Sequence, residues 1–402
     1  MSGTLSPDST SASSASPASR REPGTPQGLL LVGLSCLAVL GAVLIAPIQP
    51  SIARHFADTP GVGALVPISL TVPALAIALL APVAGRIIDR TGRIRLLVAS
   101  LVAYAVFGTA PLWLDSLESI VASRALVGVA EAGIMTCATA LVGDYFTGRR
   151  RNRYFGLQTV AASVSAVIFI GAGGALGAQD WRTPFWLYAV GLLGAVLVPF
   201  VLREPAAAPA GKLPPLDLER LRLPLAVTFV GGIVFYTPIV ELSFALDALG
   251  VESVAVIGGV SALAAVATAV GAASFAPMAR RGPAVLLPVA FGLAGVGLVV
   301  VALAPSVPVL LAGGIIASAG TGLMLPTLLS WTLSDVSHDQ RGRATGIWTG
   351  CLFIGEFICP LAVLAMSAVL GGLSAALVAI AVLSLALAVF VRLRHPRPVL
   401  TH

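Results

Sequence analysis

Twelve long apolar runs, parted by short gaps that hold nearly all of the charge, leave this chain few ways to fold. Only 10% of its 402 residues are charged, whereas 57% are hydrophobic. A water-soluble domain carries about a quarter charged residues, so the bilayer must be the solvent here. A spanning helix takes roughly 20 residues, and the chain has room for about a dozen. An outer-membrane barrel would instead show alternating segments of about ten residues. The runs are continuous, so helices are expected.

The predicted spans are 29–50, 62–84, 96–114, 119–143, 155–178, 184–202, 223–245, 253–278, 284–304, 307–333, 344–368 and 371–392. Breakers and charges separate them: DTPG at 58–61, RTGR at 90–93, TGRRRNR at 147–153, DWRTP at 180–184 and GKLPP at 211–215. The longest link, 203–222, falls between spans 6 and 7 and divides the chain six plus six. The expected organisation is therefore a tail at 1–27, a six-helix bundle at 28–202, a linker at 203–222, a second bundle at 223–393 and a short tail at 394–402. The first tail is rich in Ser, Ala and Pro and has a disordered composition. The first apolar run is too long for a signal-peptide core and lacks a convincing cleavage site, so it reads as a retained span.

Charge sorting orients the bundle. All but three of the 24 Lys and Arg residues fall in loops on the amino-terminal side; Arg54 and Arg182 lie opposite, and Arg124 falls within span 4. The positive-inside bias places both termini in the cytoplasm, in a bacterial inner membrane. It also accounts for the basic pI of 9.6 without any nucleic-acid partner. The cysteines Cys36, Cys137, Cys351 and Cys359 lie inside apolar runs and form no CxxC or Cys/His cluster, so neither a metal site nor a disulfide framework is expected.

The two halves echo each other. APVAGRIIDRTGRIRLL at 81–97 corresponds to APMARRGPAVLL at 276–287, and AEAGIM at 130–135 to AGTGLM at 319–324. RNRYFG at 151–156 answers RGRATG at 341–346, and API at 46–48 answers TPI at 237–239. Four matches in register, about 190 residues apart, indicate a parallel repeat of two six-helix units.

The loop between spans 2 and 3 reads Gly85-x-x-x-Asp89-Arg90-x-Gly92-Arg93, with Arg95 following. Span 4 adds Arg124-x-x-x-Gly128. In these features, and in the six-plus-six repeat over roughly 28–393, the chain resembles the major facilitator superfamily, nearest in appearance to its bacterial twelve-helix efflux group. That resemblance implies an all-α membrane protein of two pseudo-symmetric six-helix bundles and a secondary transporter working by alternating access. It also implies that Gly85, Asp89, Arg90, Gly92 and Arg93 form a conformational latch, and that spans 1, 4, 7 and 10 line a central cavity.

Ionisable residues inside spans are costly and mark pathways. Arg124 and Glu131 are seven residues apart on span 4, on one helix face. Glu241 lies in span 7 and Glu356 in span 11. With span 11 beside the cavity in the family's fold, Glu131 ranks first, Glu241 second and Glu356 third as cavity acids. Two departures weaken the efflux reading. Span 5 has Phe169-Ile170 before Gly171-Ala172-Gly173-Gly174, without the Gly-Pro of drug–proton antiporters, and span 1 lacks an acid.

The function expected is proton-coupled export of a small amphipathic organic compound by a monomer in the lipid bilayer. A proton-coupled uptake symporter is the alternative, and a transport-like sensor a remote one. The chain has no P-loop for ATP, no GxSG and no HExxH, so an enzyme or a direct ATP drive is not expected, nor is a cofactor.

Overall fold

The computed structural model describes residues 24–205, 216–334, 336–337 and 340–394, except the side chains at 82, 84–86 and 88–90. Its described residues form helices, with no strand. Twelve helical segments are long and apolar enough to cross a membrane. They are span 1 (Thr25–His55), span 2 (Val62–Ala81), span 3 (Arg93–Leu112), span 4 (Leu117–Tyr145), span 5 (Gly148–Gly177) and span 6 (Thr183–Val201). The second half holds span 7 (Leu218–Ala248), span 8 (Val254–Arg281), span 9 (Pro283–Ala302), span 10 (Val307–Leu333), span 11 (Arg341–Leu370) and span 12 (Leu373–Arg394).

Several helices outrun the apolar stretches that predict them. The helix of span 2 continues to Thr91, and span 5 starts at Gly148, inside a basic stretch expected to be loop. Hydropathy locates the apolar stretch, whereas helix ends follow backbone hydrogen bonding, which persists into polar sequence. Caps then fix some ends. Asp217 Oδ1 accepts from the Glu219 amide at 3.2 Å and starts span 7 within the expected linker, and Ser116 starts span 4 by accepting from the Ser119 amide. Span 1 is broken: helix Thr25–Val43 passes through a 3-10 turn at Ala46–Ile48 into helix Gln49–His55, with Pro47 and Pro50 at the junctions.

Spans 2 and 11, and spans 5 and 8, pack across the two halves. The end of the molecule carrying most of the basic loops is here the basic end, and the opposite one the far end. Span 5 touches span 8 without intervening side chains: a Cβ added to Gly174 would stand 2.5 Å from Gly258 Cα, and the converse is equally tight. Beside it, a Cβ on Gly173 would stand 2.1 Å from the Leu44 carbonyl oxygen of span 1. At the far end Arg54 Nη1 is 2.5 Å from Asp247 Oδ1, pairing the end of span 1 with the end of span 7. Deeper in, the Tyr236 hydroxyl donates to the Ala42 carbonyl at 2.6 Å, again joining spans 7 and 1. Toward the basic end span 5 has more room, and a Cβ on Gly156 would meet nothing within 4 Å.

Candidate functional site

A cavity of about 490 Å³ sits at mid-depth and in the basic-end half, between the two bundles. Its wall is mostly apolar, with Met135, Phe235 and Phe353 among the large side chains. The polar exceptions include Ser35 and Gln158, joined by a 2.6 Å hydrogen bond from Gln158 Nε2, and two carboxyls, Glu131 and Glu356. Among the described residues, no lysine or arginine lines it.

Arg124 lies behind this wall and is 0% exposed, so it does not snorkel to the surface. Its Nη1 donates to the Tyr188 hydroxyl at 2.6 Å, its Nη2 to the Gly41 carbonyl at 2.6 Å and its Nε to the Ser69 carbonyl at 3.2 Å. The guanidinium also lies over the Tyr188 ring, 5.2 Å from its centroid. Arg124 thus ties span 4 to spans 1, 2 and 6. A guanidinium has five N–H donors, and three of its nitrogens are engaged by neutral acceptors rather than by a carboxylate.

Glu131 is 1% exposed, and its Oε1 is buried without a hydrogen-bond partner among the described residues. Span 1 makes room for it by lacking a side chain, since a Cβ on Gly41 would stand 1.5 Å from Glu131 Oε1. Gly41 therefore meets both residues, accepting from Arg124 through its carbonyl and seating Glu131 against its Cα. Gly41→Ala should displace the carboxyl and destabilise the protein by about 1–3 kcal/mol through overpacking. Gly33→Ala on the same helix, where a Cβ meets nothing within 4 Å, should stay within about 0.5 kcal/mol of the parent. Equal thermal stability of the two variants would show that Gly41 does not seat Glu131.

The ranking of the other acids is reversed. Glu356, expected off the cavity, lines it, whereas Glu241, expected second, is buried within span 7 and is not part of the lining. Span 11 reaches the cavity because it packs closely on span 7: a Cβ on Gly232 would stand 2.4 Å from the Leu352 carbonyl oxygen, and one on Gly355 2.2 Å from that of Phe229.

The family model of the Major Facilitator Superfamily matches this chain twice, at residues 31–252 and 223–401. The chain belongs to the major facilitator superfamily. Multidrug resistance protein 1 of Bacillus subtilis (strain 168) is 33% identical over 180 residues, covering 43% of this chain and 44% of that protein. The class C tetracycline resistance protein of Escherichia coli is 28% identical over 228 residues, covering 55% of each. The chain thus spans about half the length of the curated relatives it matches. Among solved structures, a bacterial homolog of the human lysosomal transporter Spinster, inward-facing and occupied, aligns with a TM-score of 0.77 at 18% identity, over 91% of this chain and 95% of that one. The human organic anion transporter MFSD10 aligns with a TM-score of 0.67 at 19% identity, over 94% and 100%. These are the family and fold of transporters, in a multi-pass membrane protein.

Of the superfamily loop signature, the side chains of Asp89 and Arg90, and position 85, lie outside the described residues. Gly92 and Arg93 are described. Gly92 has φ +82 and precedes the first turn of span 3, a conformation glycine adopts without strain. There Glu204, just beyond span 6, receives the Arg93 amide on Oε1 at 2.7 Å and the Ile94 amide on Oε2 at 2.9 Å. An anion at a helix start satisfies orphan N–H groups and suits the helix dipole. Arg93 Nε is 2.5 Å from Asp144 Oδ2 at the end of span 4, and the Arg203 amide donates to the Tyr145 hydroxyl at 2.7 Å. Loop 2–3 is thereby fastened to the ends of spans 4 and 6. Glu204, Asp144, Tyr188 and Gly41 were not candidates from sequence, since each acts through a neighbour distant along the chain.

Glu204→Ala should cost about 1 kcal/mol at this cap. Hydrogen exchange should read it as roughly fivefold faster exchange at the Arg93 and Ile94 amides. Unchanged exchange there would show that the carboxylate does not hold the turn.

Proposed function

We propose that this protein exports a small amphipathic organic compound from the cytoplasm in exchange for protons, by rocking residues 28–202 against residues 223–393. The observation that carries the reading is one apolar cavity holding two buried carboxyls, Glu131 and Glu356 opposite, where among the described residues one Glu131 oxygen has no partner and no base lines the wall. A dry carboxylate without a partner is costly, so each needs a proton or a cationic group of the cargo whenever water is excluded. Exchange of the one for the other couples the two fluxes. Arg124, spent on neutral acceptors, holds the geometry around Glu131 and leaves that carboxyl free to exchange.

In this reading the basic end faces the cytoplasm, both termini lie there, and the membrane is the bacterial inner membrane. The cavity is then open to the cytoplasm, with the far end shut by the Gly174–Gly258 crossing and the Arg54–Asp247 pair. Gly85, Asp89, Arg90, Gly92 and Arg93 serve as the latch of loop 2–3. The names of the bacterial relatives, multidrug and tetracycline resistance proteins, favour export over uptake.

The test is a growth assay against a compound panel in an efflux-deficient host, followed by transport of any hit in proteoliposomes under an imposed pH gradient. Resistance with gradient-driven movement out of the cytoplasmic side supports export. Accumulation in cells supports the symporter instead, and movement indifferent to the gradient removes proton coupling. Reporter fusions at Thr4 and Thr401 read the orientation; a periplasmic signal from either would invert the map.

A further inference from the structure

Two features of the second half remain unused: Glu241, buried and without a hydrogen-bond partner among the described residues, and the contact between Thr237 and Cys359. They line up. Glu356 faces the cavity, and Cys359 stands one turn farther along span 11 toward the far end. The Cys359 sulfur is 3.5 Å from the Thr237 hydroxyl on span 7. That hydroxyl already donates to the Ile233 carbonyl at 2.8 Å, so it accepts from the thiol. Glu241 stands one turn beyond Thr237, again toward the far end. All four side chains are at most 5% exposed, and spans 7 and 11 approach backbone to backbone just below them.

We infer that Glu356, Cys359, Thr237 and Glu241 form a proton path inside the second half, running from the cavity toward the far end of span 7. The inference rests on the proton-coupled reading above and assigns each acid to one side. Glu356 exchanges with the cavity in the present state, and Glu241 loads from the far side once the Arg54–Asp247 pair opens.

Written from the cavity outward, the Glu356 O–H bond breaks as its proton goes to the Cys359 sulfur. The thiol passes its own proton to the Thr237 oxygen, and the hydroxyl, turning from Ile233, passes its own to the Glu241 carboxylate. One O–H is lost at Glu356 and one gained at Glu241; the thiol and hydroxyl end as they began, and nothing is oxidised or reduced. Rotation of the S–H and O–H bonds reverses the direction. The other titratable groups nearby are Tyr236 on span 7, Glu131 across the cavity and the Arg54–Asp247 pair at the far end. Spans 8, 9, 10 and 12 contribute no acid, and their Arg280, Arg281, Arg392 and Arg394 lie at the basic end.

The test needs no cargo. Arg54→Cys and Asp247→Cys, joined by a short bismaleimide, hold the far end shut in the full-length protein. Infrared spectroscopy then follows exchange of the Glu241 carboxyl proton for deuterium, its band identified by Glu241→Gln. The locked protein should exchange at Glu241. Cys359→Val and Thr237→Val should each slow that exchange on the order of tenfold or more, while Cys359→Ser, which keeps an exchangeable proton, should restore it. No exchange at Glu241 in the locked protein, or equal rates in all variants, overturns the path. Ethidium transport by the unlocked parent under a pH gradient is read separately. Its loss with Glu241 exchange intact tells against the export proposal, and its presence with exchange unaffected by either valine tells against the path.

Discussion

Gly258→Val should abolish uphill transport, while Gly259→Val one residue away should be tolerated. The two glycines are adjacent on span 8, yet a Cβ on Gly258 would stand 2.5 Å from the Gly174 Cα of span 5, and one on Gly259 meets nothing within 4 Å. The atoms nearest that Cβ, in Gly174 and Ile170, are all backbone, so no side chain can swing aside. In membranes small residues set how closely helices approach, and here they close the far end. Overpacking of this kind costs up to about 3 kcal/mol, enough to depopulate the closed state about 150-fold. A cysteine at Ile48 of span 1, 0% exposed with the far end closed, should then become reactive to a membrane-impermeant maleimide in Gly258→Val and stay slow in Gly259→Val. Wild-type transport by Gly258→Val would mean that the far-end crossing is not the seal.

That prediction could not have been made from the sequence. With 42 glycines in the chain, nothing marks Gly258 or Gly174 as the pair that meets. The twelve spans were legible because the bilayer imposes a length and a composition on each one, and only the ends drifted, where Asp217 or the basic residues after Gly148 keep the helix going. Arg124 and Glu131 were legible for a related reason: a charge inside an apolar run is conspicuous whatever surrounds it. Their partners were not. Tyr188 lies 64 residues from Arg124, and the Gly41 carbonyl is a backbone atom that no motif reports. The family's cavity helices put Glu356 off the cavity, whereas bare glycines at 232 and 355 let span 11 press its acid into it. Position along a helix fixes depth; which way a residue faces is settled by the neighbour it packs on.

Glu131→Gln should lose pH-gradient-driven transport, by on the order of a hundredfold, the usual scale for removing a positioned proton carrier, yet keep cargo binding and downhill exchange. The substitution preserves shape and hydrogen-bonding length. Because Glu131 forms no ion pair among the described residues and Arg124 keeps its three acceptors, the fold should lose no more than about 1 kcal/mol. The seat at Gly41 is unaffected in volume, so an amide can occupy it. What the amide cannot do is give up and regain a proton while the cavity is dry. Glu356→Gln should reduce coupling as well, since its carboxyl faces the same space from the other half. Glu241→Gln tests a different step: it should spare exchange at the cavity and slow proton loading from the far side. Proteoliposomes measured under a pH gradient, and again with cargo on both sides and no gradient, separate these outcomes. If Glu131→Gln drives uphill transport as the parent does while Glu356→Gln fails, the coupling carboxyl belongs to the second half, and Glu131 serves cargo binding alone.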